Sequence, residues 1–168
     1  FRDSALNPEH PTLRNTVQNG DVYFQVREAN NPFYDNLPDI VEDYLRQISQ
    51  ATGREYHLFN YYGHPEASEI VIAMGSVCGA AEEAVDYLNA HGRKVGFVQV
   101  HLFRPFSCKA LLNAIPKTVR RVAVLDRCKE MGSAGEPLYQ DVCTAFANTD
   151  RHVAIFGGRY GLSSKDTT

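Results

Sequence analysis

No apolar run in this chain approaches the roughly 18 residues that a membrane-spanning helix needs, and no signal-peptide pattern is visible at its start. Charge of one sign is also lacking. Lys and Arg number 17 against 20 Asp and Glu, a net charge of −3, which removes the electrostatic basis for binding nucleic acid or an anionic membrane. The four cysteines, Cys78, Cys108, Cys128 and Cys143, are scattered with no Cys-x-x-Cys among them. That spacing argues against a zinc or iron–sulfur site, and the number is too low for a disulfide scaffold. Reduced thiols and a cytoplasmic setting are the expectation. No G-x-G-x-x-G follows any strand signal. A faint nucleophile-elbow echo at Gly75-Ser76-Val77-Cys78-Gly79 fails because Val77 holds the nucleophile's place.

What is present is a βαβ unit between Glu69 and Phe106. The apolar run Ile70–Met74 meets the Gly75-Ser76 break, a helical segment runs to Gly92, and a second apolar run from Val95 to Leu102 stops at Arg104-Pro105. Strand, helix and strand in this span imply parallel strands with a right-handed crossover. The helix is expected to bury Val77, Ala81, Ala84, Val85 and Leu88. The two strands show little polar alternation, as strands covered on both faces do. Upstream, Pro38–Thr52 carries a helical apolar stripe at Ile40, Val41, Tyr44, Leu45 and Ile48, with Gly53 as its C-terminal glycine. Tyr56–Tyr62 alternates and predicts a strand. Downstream, Ser107 is placed to cap a short helix carrying Leu111, Leu112 and Ile115. Val122–Leu125 is a third apolar strand, Pro137–Ala147 a helix with Leu138, Val142, Ala145 and Phe146 inward, and Val153–Phe156 a last short strand before Gly157-Gly158. These elements sum to an α/β fold, a three-layer α/β/α sandwich around a five-stranded, mixed but mostly parallel sheet.

The ends differ from this body. Residues 1–37 are rich in Asn-Pro and His-Pro dipeptides that resist helix, with an extended piece expected at Asp21–Val26. They form an entry linker or surface arm, docked through Tyr23, Phe24, Phe33 and Tyr34; residues 38–168 form the α/β domain. A Ser followed by an acid near the C-terminus is how a helix often begins, so the sequence is expected to be one domain of a longer, multidomain chain.

Open α/β sheets place ligands at the carboxyl ends of their strands. Ser76, Arg104, Asp126, Arg127, Glu130 and Arg159 fall there. Gly75-Ser76 offers either backbone N–H groups to a phosphate at a helix N-terminus or an ordinary tight turn with a serine cap. The three arginines either bind an anion or a partner's carboxylates, or pair locally with Asp126, Glu130 or Glu136. The histidines His64, His91 and His101 lack a companion acid or metal spacing and are not expected to be catalytic. Tyr56, Tyr61 and Tyr62 fit sheet packing better than a base-stacking platform. No metal site and no catalytic set is expected in the chain.

Several motifs in order carry a family resemblance: Asn7-Pro8-Glu9-His10-Pro11, Tyr23-Phe24-Gln25, Gly75-Ser76, Leu102-Phe103-Arg104-Pro105-Phe106, Leu125-Asp126-Arg127 with Lys129-Glu130, Gly135-Glu136-Pro137-Leu138-Tyr139 and Gly158-Arg159-Tyr160-Gly161-Leu162. Together they resemble the second domain of pyruvate:ferredoxin (flavodoxin) oxidoreductases, over nearly the whole chain. The resemblance implies a fold like the C-terminal domain of transketolase, whose first strand runs antiparallel to the others. It implies a parent enzyme that converts pyruvate and coenzyme A to acetyl-CoA and CO2. That parent uses thiamine diphosphate, Mg2+ and iron–sulfur clusters, and passes electrons to ferredoxin or flavodoxin, or to NADP through a fused reductase. This chain matches neither the thiamine nor the cluster motifs, so no catalytic residue carries over and no cofactor is expected on this part. A non-catalytic structural role is implied, with other domains of the same polypeptide and a homodimer mate as partners. The alternative is that the strand-end arginines bind coenzyme A or substrate, or that the parent acts on another 2-oxo acid.

Overall fold

The structure is a computed structural model and describes residues 8–9 and 17–163. It divides into two compact units, residues 1–35 and 36–168. The first holds α1 (Tyr23–Glu28) and the start of α2 (Asn31–Thr52). Here the extended piece expected at Asp21–Val26 is a helical turn instead. Among the described residues no strand pairs with it, and its amides bond locally, Val26 N–H to the Val22 carbonyl and Ala29 N–H to that of Gln25. The helix expected from Pro38 begins seven residues earlier. Pro32 occupies its first turn, where the missing N–H has no helical partner anyway. Pro38 lies inside the helix and removes one bond without ending it. The Asn7–Pro11 motif and residues 164–168 lie wholly or largely outside the described residues.

In the second unit, Gly53 closes α2 at φ +71° as expected, and Val41 and Leu45 pack on the core. Glu42 ties the helix to the next strand: one carboxylate oxygen accepts the Leu58 N–H at 3.0 Å and the other contacts His57 Nδ1 at 2.5 Å. The strands are β1 (Phe59–Gly63), β2 (Glu69–Ala73), β3 (Val95–Val100), β4 (Arg121–Asp126) and β5 (Ala154–Arg159). A 3-10 turn at Gly75–Val77 leads into α3 (Cys78–Ala90), and α4 (Cys108–Ala114) and α5 (Pro137–Ala147) complete the fold. The sheet order is β1-β3-β2-β4-β5. Edge strand β1 is antiparallel to β3, Phe59 facing Val100, and every other pair is parallel. The expected mixed, mostly parallel five-stranded sheet is what forms.

Crossover handedness then assigns the faces. The step from β2 to β3 runs one way along the sheet, while β3 to β4 and β4 to β5 run the other way. Right-handed connections therefore put α3 on one face and both α4 and α5 on the other. The packing agrees. Ile70, Ile72, Val98, Val122 and Val124 form the main core with Leu111 of α4 and Leu138 and Val142 of α5. Ala73 and Phe97 form a smaller one with Cys78 and Val85 of α3. Each fully buried aliphatic side chain in these layers stabilises the fold by about 1.5–3 kcal/mol.

Three element-level expectations hold closely. Ser107 caps α4, its Oγ accepting the Ala110 N–H at 3.2 Å. The four residues expected to face inward on α5 are its four buried ones. Cys78 is a buried residue of the first turn of α3. Two others change. The last strand runs on through Gly157-Gly158 because its pairing with β4 continues to Asp126↔Arg159; the Tyr139 ring packs on Gly157, where an added Cβ would sit 3.1 Å away. On α3, Val85 is buried and Ala81 half-buried, as is Val77 in the 3-10 turn before it, but Ala84 and Leu88 are exposed. The α3 face of the sheet is only partly covered, and Val71, Ala123 and Leu125 are correspondingly half-buried rather than enclosed.

Candidate functional site

The carboxyl ends of β2, β4 and β5 bring Ser76, Asp126, Arg127 and Arg159 to one edge of the sheet, and Arg104 follows β3 at the same edge. Asp126 is 2% exposed. Its two oxygens accept the backbone N–H groups of Leu138 at 2.9 Å and Tyr139 at 3.1 Å, so the last residue of β4 anchors the first turn of α5. A carboxylate is well placed against the positive end of a helix dipole. Burial pushes its carboxyl above the usual range, and the two amides oppose that shift. Among the described residues Asp126 forms no ion pair with an arginine.

Glu136, directly before α5, is 5% exposed. It accepts the Glu130 N–H at 2.7 Å and the Arg159 guanidinium at 2.7 Å, and the Cys128 thiol lies 3.8 Å away. The Glu130 N–H, then Arg159, hold its carboxyl below the usual range. The loop 127–136 is therefore folded around a single carboxylate. Glu130 contributes its backbone amide to that arrangement, while its side chain stays exposed. Arg104 lies over the Phe103 ring at 3.9 Å and bonds Asp141 of α5 at 2.5 Å.

Arg127 behaves differently. It donates to the Gly161 carbonyl at 2.8 Å and to Ser76 Oγ at 3.1 Å. Ser76 sits in the 3-10 turn and does not cap α3, whose N-cap is Val77 without a side-chain bond. The expected serine cap is replaced by a link to Arg127. Tyr160 reaches across the same edge, its hydroxyl donating to the Met74 carbonyl at 2.6 Å.

The structure thus brings all the sequence-selected residues to one edge, and it uses two of the three arginines in local ion pairs. Sequence reasoning missed Asp141 as the partner of Arg104; Glu136, named as a possible partner of the arginines, pairs with Arg159 and also accepts the Glu130 N–H, a second role that was not foreseen. The Glu136-Pro137 pair, an acid immediately before a proline that opens a helix, is the signal that marks Glu136. Among the described residues no three His, Cys, Asp or Glu side chains come together as a metal-ligand set, and all four cysteines are free. The described residues do not fit a magnesium-bound diphosphate or an iron–sulfur cluster. None of the described helices is long and apolar enough to cross a membrane.

Comparison with known proteins decides the family. Residues 67–165 match the model of the pyruvate:ferredoxin oxidoreductase core domain II. The chain belongs to this family. A pyruvate-flavodoxin oxidoreductase from Enterobacter agglomerans is 60% identical over 166 residues, 99% of this chain and 14% of that protein. The pyruvate:ferredoxin oxidoreductase of Moorella thermoacetica is 53% identical over 166 residues, again 99% of this chain and 14% of that protein. An NADP-dependent pyruvate dehydrogenase from Cryptosporidium parvum is 49% identical over 172 residues, 100% of this chain and 9% of that protein. Domain II here therefore spans about one seventh of the first two relatives, which are large multidomain oxidoreductases.

Proposed function

We propose that this domain II is a non-catalytic structural and interaction domain of a thiamine-diphosphate-dependent oxidoreductase. The parent converts pyruvate and coenzyme A to acetyl-CoA and CO2 in the cytoplasm and passes electrons through iron–sulfur clusters to ferredoxin or flavodoxin. The observation that carries this reading is how the strand-end charges are used. Asp126, Glu136, Arg159 and Arg104 hold α5 and the loop before it rather than leaving a set of convergent groups free for chemistry. In the parent, thiamine diphosphate, Mg2+ and the clusters belong to other domains, where they supply carbanion stabilisation and electron transfer. The packing partners are those domains and a homodimer mate. The relatives support one more element of the reading. Proteins named for flavodoxin, ferredoxin and NADP share this domain at 49–60% identity, so the domain does not choose the electron acceptor.

A second reading is favoured by Arg127 alone. Its bonds go to a hydroxyl and a carbonyl, so an anionic group such as a coenzyme A phosphate gains a charged donor beside Ser76. Two assays test the primary reading. The full-length protein is expected to reduce a low-potential acceptor only when pyruvate and coenzyme A are both present. The isolated 168-residue chain, given the same substrates with thiamine diphosphate, Mg2+ and acceptor, is expected to form no acetyl-CoA; formation by the isolated chain would overturn the non-catalytic reading.

A further inference from the structure

The α3 face of the sheet carries an open apolar groove of about 610 Å³. Its floor is Val71 of β2, Ala123 and Leu125 of β4 and Phe156 of β5, and its near wall is Ala84 and Leu88 of α3. Phe156 is 57% exposed and Leu88 37% exposed. Large contiguous apolar surface of this kind marks a docking site.

We propose that this groove seats an amphipathic helix of about 13 residues, supplied by the same polypeptide where it continues past Thr168 in the full-length protein. The inference names the surface and occupant for the interaction role proposed above, and it rests on that reading. Three observations select the occupant.

The first is topological. The connections from β3 to β4 and from β4 to β5 both run in one direction along the sheet, and handedness commits α4 and α5 to the opposite face. No crossover up to β5 can therefore cover β4 and β5 on the α3 side, and the stretch of chain that follows β5 is the next in order that can.

The second is the path of the chain as it leaves β5. Tyr160 turns back over β4 to reach the Met74 carbonyl at the end of β2. Its hydroxyl lies 3.8 Å from the place of a Gly75 Cβ. Gly161, at φ +60°, is held there by the Arg127 bond to its carbonyl. An added Cβ at Gly161 would come within 2.9 Å of that guanidinium. The chain is thus delivered to the side of the sheet on which α3 begins, at the upper end of the groove.

The third is the match of size and charge. A six-residue strand rises about 20 Å, a distance that about 13 helical residues cross at roughly 1.5 Å each; α3 itself, lying alongside, has 13 residues. A helix entering at the upper edge runs antiparallel to the strands and ends at the lower edge. There Arg93 and Arg121 share the single carboxylate of Glu69. Two guanidinium groups against one carboxylate leave net positive charge where the negative end of the helix dipole arrives. The relatives are each about seven times as long as the part matched here.

The test uses the full-length protein with a photoreactive benzoylphenylalanine in place of Phe156. After irradiation, the cross-linked peptide is identified by mass spectrometry. The expected product joins position 156 to a peptide within about 30 residues after Thr168 of the same chain, a helix plus a connection of ordinary length. An interchain product would assign the groove to a second copy. A product with a remote part of the same chain would assign it to another domain. Either overturns this occupant while leaving the interaction role standing. Absence of any cross-link overturns the occupied groove itself. A smaller perturbation guards against misfolding. Ala123→Cys in the full-length protein is expected to react with a maleimide at least about tenfold more slowly than the surface control Tyr87→Cys, since a covered site is labelled only through local opening; equal rates overturn the proposal.

Discussion

Substituting Asp126 separates an anchoring role from a ligand role. In Asp126→Ala the first turn of α5 loses both of its side-chain acceptors, the bonds at 2.9 and 3.1 Å to the amides of Leu138 and Tyr139. Loss of an N-terminal helix cap costs about 1 kcal/mol. Leaving a buried N–H without a partner costs about 1–3 kcal/mol. Leu138 is fully buried and takes that cost, whereas Tyr139 is half-buried and water substitutes in part. The sum is about 2–4 kcal/mol. Asp126→Asn keeps one carbonyl acceptor and is expected to lose less than half as much. The assay is urea unfolding of the 168-residue chain followed by far-UV circular dichroism. With a slope of about 2 kcal/mol per molar urea, Asp126→Ala is expected to lower the midpoint by roughly 1–2 M. Amide exchange at Leu138 and Tyr139 should accelerate before that of the β3 amides. Burial raises the Asp126 carboxyl in the folded state. Its contribution is therefore full below the unfolded value near pH 4 and is lost as pH rises through the folded value. The Asp126→Ala deficit should accordingly grow as pH is lowered. A midpoint within about 0.2 M of the wild type would refute the anchoring role.

Other outcomes follow from single contacts. Gly63 sits at φ +118°, and an added Cβ would come within 2.7 Å of the Val95 carbonyl oxygen. Gly63→Ala is expected to destabilise by at least about 1–3 kcal/mol through backbone strain alone, read as a lowered unfolding midpoint with β1 amides losing protection first. The Glu136 carboxyl is held below the usual range by the Glu130 amide and Arg159. Its contribution is full above about pH 4.3, the unfolded value, and fades as pH falls through the folded value. Glu136→Gln should therefore flatten the acid limb of a stability–pH profile, and an unchanged limb would contradict that assignment. Tyr160→Phe removes one hydrogen bond to the Met74 carbonyl and is expected to cost about 1 kcal/mol, measured by the same unfolding assay.

The fold was largely legible because its signals are local. The apolar runs at 70–74 and 122–125, the Ser107 cap and the inward set Leu138, Val142, Ala145 and Phe146 each express one element's own periodicity. The extended piece expected in the arm was misjudged for the converse reason. Val22, Phe24 and Val26 alternate, but alternation makes a strand only where a neighbouring strand accepts the ladder, and no such strand lies among the described residues. Pro32 and Pro38 suggested a later helix start, although a proline in the first turn costs no bond and one further in costs only one. At the strand ends the residues were identified, and so was Glu136 as a partner for one arginine, Arg159, but the other partners were not. Arg104 and Asp141 are 37 positions apart, and Asp126 meets backbone amides that no side-chain pattern displays. The half-covered α3 face was hidden because an uninterrupted apolar strand reads as buried whichever part of the polypeptide does the burying.

The most direct test of the non-catalytic reading is the Michaelis constant for coenzyme A in the full-length protein carrying Arg127→Gln, with assembly followed by sedimentation. The substitution removes the charge while keeping a donor for the Gly161 carbonyl and Ser76 hydroxyl. The expected result is intact assembly, with kcat and the coenzyme A KM within about twofold of the wild type, below the 1.4 kcal/mol that a tenfold change represents. A KM raised about tenfold or more in a fully assembled enzyme would place coenzyme A on Arg127 and contradict it.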